Sequence, residues 1–137
     1  MTRTLQFYSK SRRASPEAAI QRAVIEHLRM RGVPGMVYMA VKNEGKRSEA
    51  LGLEYKRQGM RPGAPDLLVM VKGKPVLGLE LKTAKGKLSA EQRQFALEWE
   101  AAGGVYVPAY GLNEALETLE LYGALKPNAI RRARAAA

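Results

Sequence analysis

The stretch Gly63-Ala64-Pro65-Asp66-Leu67-Leu68-Val69-Met70-Val71-Lys72-Gly73-Lys74-Pro75-Val76-Leu77-Gly78-Leu79-Glu80-Leu81-Lys82 decides the fold. Leu67 to Val71 and Val76 to Lys82 are apolar runs of strand length, and Lys72-Gly73-Lys74-Pro75 between them is a turn signal, so the segment predicts a hairpin. In the second run Leu77, Leu79 and Leu81 alternate with Val76, Gly78, Glu80 and Lys82, which gives a core face and a charged face. Asp66, the only aspartate in the chain, opens the first strand, and Glu80 lies near the end of its antiparallel neighbour. Folding at the turn brings the two carboxylates together.

Register decides whether they share a face. A two-residue turn at Gly73-Lys74 would set Asp66 opposite Leu81, on the leucine side. A three-residue loop, Gly73-Lys74-Pro75, would set it opposite Lys82, with Glu80 diagonal to it on the charged side. Pro75 cannot donate to a ladder, so the expectation is the even register, with Asp66, Glu80 and Lys82 on one face.

Upstream, Ser15 as N-cap, Pro16 at the first helical position and Gly32 past the end bracket a helix of about sixteen residues. Met36 to Val41 reads as a strand, residues 42–47 as a charged loop, and Ser48 to Gln58 as either a short helix or irregular chain. Downstream, Ser89-Ala90-Glu91-Gln92 has the spacing of a capping box and opens a helix to about Ala102, closed by Gly103-Gly104. Val105 to Tyr110 is a further strand, and Asn113 is expected to cap a last helix that ends near Gly123. The order helix, strand, hairpin, helix, strand, helix predicts an α/β fold with a mixed sheet of about four strands. Residues 1–14 read as a basic flexible arm, 15–123 as the domain and 124–137 as a basic tail.

Composition narrows the chemistry. The 137 residues fit one domain that buries roughly two thirds of its unfolded surface. No cysteine and a single histidine, His27, exclude disulfides, thiolate sites and multi-histidine cages within one chain, so any metal must be held by oxygens. Oxygen ligation suits Mg²⁺ or Mn²⁺, which need only one or two carboxylates beside water and phosphate. The balance of 23 Lys and Arg against 13 acids, a net charge of +10, points to a polyanionic partner, with nucleic acid first. With no membrane-length apolar run and no signal-type N-terminus, the expected setting is intracellular and soluble.

Hydrolysis of a phosphodiester needs a nucleophilic water near neutral pH and neutralisation of growing charge, which two carboxylates holding a cation can arrange. Lys82 follows Glu80 by two and points the same way, so its ammonium is placed for the water or the phosphate. An isolated Glu-x-Lys on an edge strand would instead be a solvated ion pair, and Glu44-Gly45-Lys46 and Glu54-Tyr55-Lys56 show how common the pattern is here. Glu17, Gln21, Val24 and Leu28 fall on one helical stripe, with Glu26 about 180° away. Glu17 either complements the helix dipole or adds a third carboxylate to the outer shell of the metal, with Gln21 beside it. Gln92 is explained by the capping box and also lies within reach of a phosphate or of Lys82. Trp99 and Phe95 read as core, and His27 as an exposed helix residue.

Asn43-Glu44-Gly45-Lys46-Arg47, Gly63-Ala64-Pro65-Asp66-Leu67, Leu79-Glu80-Leu81-Lys82, Gly86-Lys87-Leu88-Ser89 and Gln92, in this order and spacing, resemble the VRR-NUC (virus-type replication-repair nuclease) branch of the PD-(D/E)XK superfamily. The resemblance covers roughly Ser15 to Tyr122. It implies a restriction-endonuclease-like αβββαβ core and Mg²⁺-dependent cleavage of DNA, with Mn²⁺ as a substitute. It further implies Asp66, Glu80 and the Leu81 carbonyl as metal ligands, Lys82 assisting the water and Glu17 as the accessory carboxylate. Gln21, Lys46, Arg47 and Gln92 are the expected contacts or supports for DNA or phosphate. Stand-alone members look like viral homodimeric nucleases that resolve Holliday junctions. The expectation is therefore a homodimeric endonuclease on branched DNA, phage or prophage encoded and acting in the bacterial cytoplasm. The contrasting reading is a basic nucleic-acid-binding module that keeps the fold without catalysis.

Overall fold

A computed structural model of the chain describes residues 15–41 and 48–127. Helix α1 (Pro16–Arg31) starts where the sequence places it: the Ser15 hydroxyl accepts from the Ala18 amide at 3.2 Å, and Pro16 takes the first position. Strand β1 (Val37–Ala40) follows, and Ser48 caps a short helix α2 (Glu49–Arg57), which settles the ambiguous stretch as helix. Strands β2 (Leu67–Met70) and β3 (Leu77–Lys82) form the hairpin. Helix α3 (Ala90–Ala101), strand β4 (Val105–Tyr110) and helix α4 (Leu112–Tyr122) complete the order. One boundary differs from expectation. Asn113 lies inside the first turn of α4, and the cap is Gly111, whose φ of 96° is open to glycine and strained for other residues.

The sheet runs β1-β2-β3-β4, antiparallel through the hairpin and parallel between β3 and β4. Local patterning reads the hairpin but does not reveal that β4 adds beyond it, and that addition puts β3 in the centre. Its leucine face, with Leu67 and Val69 from β2, packs under α1 and α4 against Val24, Leu28, Leu116 and Leu119. Arg31 ties α1 to α4 through Glu120 at 2.7 Å. On the other face α3 lies over β3 and β4. The Trp99 indole N–H is shared between the Val76 and Val105 carbonyls at 3.3 and 3.2 Å, and a Cβ on Gly78 would come within 2.9 Å of Pro65. The structure thus has the predicted αβββαβ core in a mixed four-stranded sheet, with α2 inserted and none of its residues buried.

The hairpin pairs Leu67 with Leu79 and Val69 with Leu77. Continued by one residue, this sets Asp66 level with Glu80. The expected parity holds, but the strands are shifted by two residues from the three-residue-loop alignment. The turn closes earlier, with Lys74 N–H donating to the Val71 carbonyl at 3.1 Å and Gly73 at φ 80°, and Pro75 falls beyond it, so pairing resumes only at Leu77.

Candidate active site

Asp66 and Glu80 meet on the α3 side of the sheet. The Leu81 amide donates to Asp66 Oδ2 at 2.7 Å, a bond that replaces the main-chain ladder where β2 ends. Because the N–H and C=O of one strand residue point to the same neighbour, the Leu81 carbonyl also faces the Asp66 side. Gly63, three residues upstream, fixes the approach of this loop: its φ is 85°, and a Cβ there would lie 2.3 Å from the Glu91 carbonyl oxygen at the start of α3.

Glu80 is 4% exposed, on a central strand, which overturns the solvated edge-strand alternative. Its Oε1 accepts from Gln92 Nε2 at 2.8 Å and lies 3.9 Å from Lys82 Nζ. Gln92 completes the capping box, its Oε1 accepting from the Ser89 amide, and this orients its amide nitrogen toward Glu80, where the sequence had suggested Lys82 or a phosphate. Glu80 Oε2 is buried with no hydrogen-bond partner among the described residues. Burial, and then the Asp66 charge, push the Glu80 pKa from 4.5 up to about 8, with Lys82 opposing. Two ionised carboxylates cannot donate to each other, so a proton on Glu80 or a cation held by the pair would relieve the orphaned oxygen.

Glu17 and Gln21 fall on the inward stripe of α1 with Val24 and Leu28, while Glu26 is exposed. The Glu17 charge is felt at Glu80, yet no group of three or more acids or histidines is close enough to hold a metal among the described residues. Glu17 therefore stands off from the carboxylate pair. Lys46 and Arg47 lie outside the described residues. His27 is half-buried and accepts from Arg31 Nε at 3.0 Å, in place of the exposed position expected. Phe95 and Trp99 stack at 5.5 Å as expected of packing residues, although they also wall a pocket.

Sequence reasoning missed Tyr106. On β4 it pairs with Gly78 and shares the Glu80 face, and its buried hydroxyl has no hydrogen-bond partner among the described residues. Burial and the nearby Glu80 and Asp66 carboxylates push its pKa up. The signal was the alternation of β4 itself, since the parallel partner of β3 must place every second residue on the charged face.

An oxygen-only pair of carboxylates with one orphaned, buried oxygen fits a hard divalent cation, whose remaining positions go to water and phosphate. No protein-family model and no curated protein sequence matches the chain. A solved structure does: it bears the name "VRR_NUC domain protein", is 19% identical, and superposes with a TM-score of 0.64 over 81% of this chain and 90% of its own. The fold is that of a VRR-NUC domain. Within this VRR-NUC fold, no described helix is long and apolar enough to cross a membrane.

Proposed function

We propose that the chain is a nuclease of the VRR-NUC family, a Mg²⁺- or Mn²⁺-dependent endodeoxyribonuclease acting on branched DNA, with four-way junctions as substrate and a homodimer as the active form. The observation that carries the reading is the pairing of Asp66 with a buried Glu80 beside Lys82. The net charge of +10, with Lys85 and Lys87 exposed between the hairpin and α3 and Arg93 exposed on the first turn of α3, supports a phosphate backbone as partner. Two symmetric cuts need two sites, hence two copies. A bacterial cytoplasm and a phage or prophage origin are the setting this reading implies.

Asp66, Glu80 and the Leu81 carbonyl would hold the ion, with Glu17 reaching it through water. A divalent ion bound there supplies charge neutralisation at the phosphate and a water that is nucleophilic near neutral pH. Lys82 presents its ammonium to the phosphate oxygens and orients the attacking water. Gln92 keeps Glu80 in its rotamer, and the Leu81 amide does the same for Asp66. Gln21, Lys46 and Arg47 complete the proposed contacts to DNA.

The test sets purified protein on a four-way junction and a matched linear duplex, with Mg²⁺, Mn²⁺ or EDTA, beside Asp66→Asn and Lys82→Ala. Metal-dependent junction cleavage lost in both variants is expected. Cleavage that survives either substitution or the chelator removes the site, and binding without any cleavage favours the non-catalytic module. Nicking of linear duplex by a sedimenting monomer removes the junction and dimer parts alone.

A further inference from the structure

The site face of the sheet is covered unevenly. Helix α3 lies over β3 and β4, but on the β1–β2 half Val37, Met39 and Met70 are 60%, 58% and 54% exposed. Between the covered and bare halves lies a pocket of about 260 Å³, lined by Val41, Met60, Ala64, Leu68, Phe95 and Trp99. Its size is below the roughly 300–1,000 Å³ of sites for drug-sized ligands and suits one planar ring system.

Two elements lead from the carboxylates into this pocket. On β2, Asp66 and Leu68 share a face two residues apart, about 6–7 Å. On α3, Phe95 is one turn, about 5 Å, beyond Gln92, which holds Glu80. The pocket is therefore one nucleotide's reach from the place where a phosphate would sit. Its wall is the stacked pair Phe95 and Trp99, and Arg61 lies over the Phe95 ring at 5.2 Å, with its outer edge paired to Glu98 at 2.8 Å. Aromatic walls with a guanidinium plane, in a chain of net charge +10, suit the apolar faces of a base whose backbone phosphates are held outside.

We infer that this pocket receives an unpaired nucleobase of the bound DNA, one step from the phosphate to be cut. The inference rests on the nuclease reading and deepens it: selection of branched DNA comes from the unstacked base that a branch point can release and an intact duplex cannot. A paired base is denied the pocket by the cost of unstacking it.

The test compares two duplexes, one with a single-nucleotide bulge and one with an abasic residue in the bulge, by fluorescence anisotropy in EDTA so that no strand is cut. Wild-type protein is expected to bind the bulged base about fivefold to a hundredfold more tightly than the abasic analogue, the worth of one stacked base. Ala64→Leu and Leu68→Phe, which fill the pocket from the loop and from the sheet, are each expected to bring that ratio close to one, with folding checked by thermal unfolding. Two fillers guard against one failing to fold. DNA bound by wild type with a ratio near one overturns the inference and leaves the nuclease reading standing. A ratio that persists in a folded filler places the base elsewhere and also overturns it. No DNA binding at all removes both.

Discussion

Leu79 and Glu80 are neighbours on β3, 0% and 4% exposed, and they face opposite sides of the same sheet. The leucine side is sealed by α1 and α4 with apolar contacts, so its burial stabilises the fold. The other side is sealed to a similar extent around two carboxylates, an orphaned Glu80 oxygen and an orphaned Tyr106 hydroxyl. Burial there costs stability, because ionised or unpaired polar atoms lose water without full replacement. Equal burial thus does opposite things across one strand: one face makes the fold, and the other holds buried charges that a bound cation would relieve.

Glu80→Gln breaks this contrast most completely. It keeps the shape and removes the charge, so cleavage is expected to fall roughly a hundred- to a thousandfold or more, while metal-free stability near pH 8 rises. The sign follows from linkage. Glu80 has a folded-state pKa of about 8 against an ordinary 4.5, so the folded chain holds the extra proton between these values. Its contribution is fully present below about pH 4.5 and is lost as pH rises through about 8, by up to about 1.4 kcal/mol per pH unit. Urea unfolding of metal-free wild type from pH 5 to 8 is expected to show this decline, Glu80→Gln to lack it, and Mn²⁺ to restore wild type at pH 8. A flat wild-type profile would remove the buried charge from the account.

Leu79→Ala probes the opposite face. It deletes a fully buried side chain among Val24, Leu28 and Leu119 and is expected to cost about 2–5 kcal/mol in urea unfolding, at pH 5 and pH 8 alike. A pH-dependent cost would mean that the two faces are coupled through the strand.

Much of this arrangement was legible in the chain because it is written in local signals. Ser15-Pro16, the Ser89 to Gln92 capping box and the alternation around Glu80 set element ends and faces within a residue or two. Parity of the hairpin was reached from Pro75, which cannot donate to a ladder, although in the structure Pro75 lies just past the turn and not within the loop. The shift by two residues was not legible, since it depends on a turn closed at Val71 and Lys74. Neither was the burial of Glu80, which requires β4 to add in parallel and α3 to fold back, both events of tertiary packing. Tyr106 and the apolar pocket escaped for that reason too.

Gln92→Glu sharpens the contrast within one residue. Glutamate serves the capping box as well as glutamine does, so α3 keeps its start and far-ultraviolet dichroism is expected to be unchanged. What is lost is the donor to Glu80 at 2.8 Å, replaced by a like charge. Cleavage and Mn²⁺ affinity are expected to fall about 10- to 100-fold, as for other partners that orient a ligand. An unchanged Mn²⁺ affinity by calorimetry would leave Gln92 as a cap alone.

Tyr106→Phe carries the smallest expected effect, with a different sign in each of two measurements. The ring packs 6.1 Å from Phe95, and phenylalanine keeps that contact while removing the hydroxyl. In the metal-free protein the hydroxyl is buried beside Glu80 without a well-formed hydrogen bond, so its removal is expected to leave stability unchanged or to raise it by about 1 kcal/mol. Once the Asp66 and Glu80 carboxylates are ionised around a cation, the same hydroxyl has an acceptor beside it, and losing it is expected to weaken Mn²⁺ binding by a few-fold up to about tenfold. Stability that rises while metal affinity falls would mark Tyr106 as belonging to the charged face by function and not only by position. A loss of metal-free stability would show instead that its hydroxyl is part of the fold's own support, and the line between the two faces of β3 would have to be redrawn at β4.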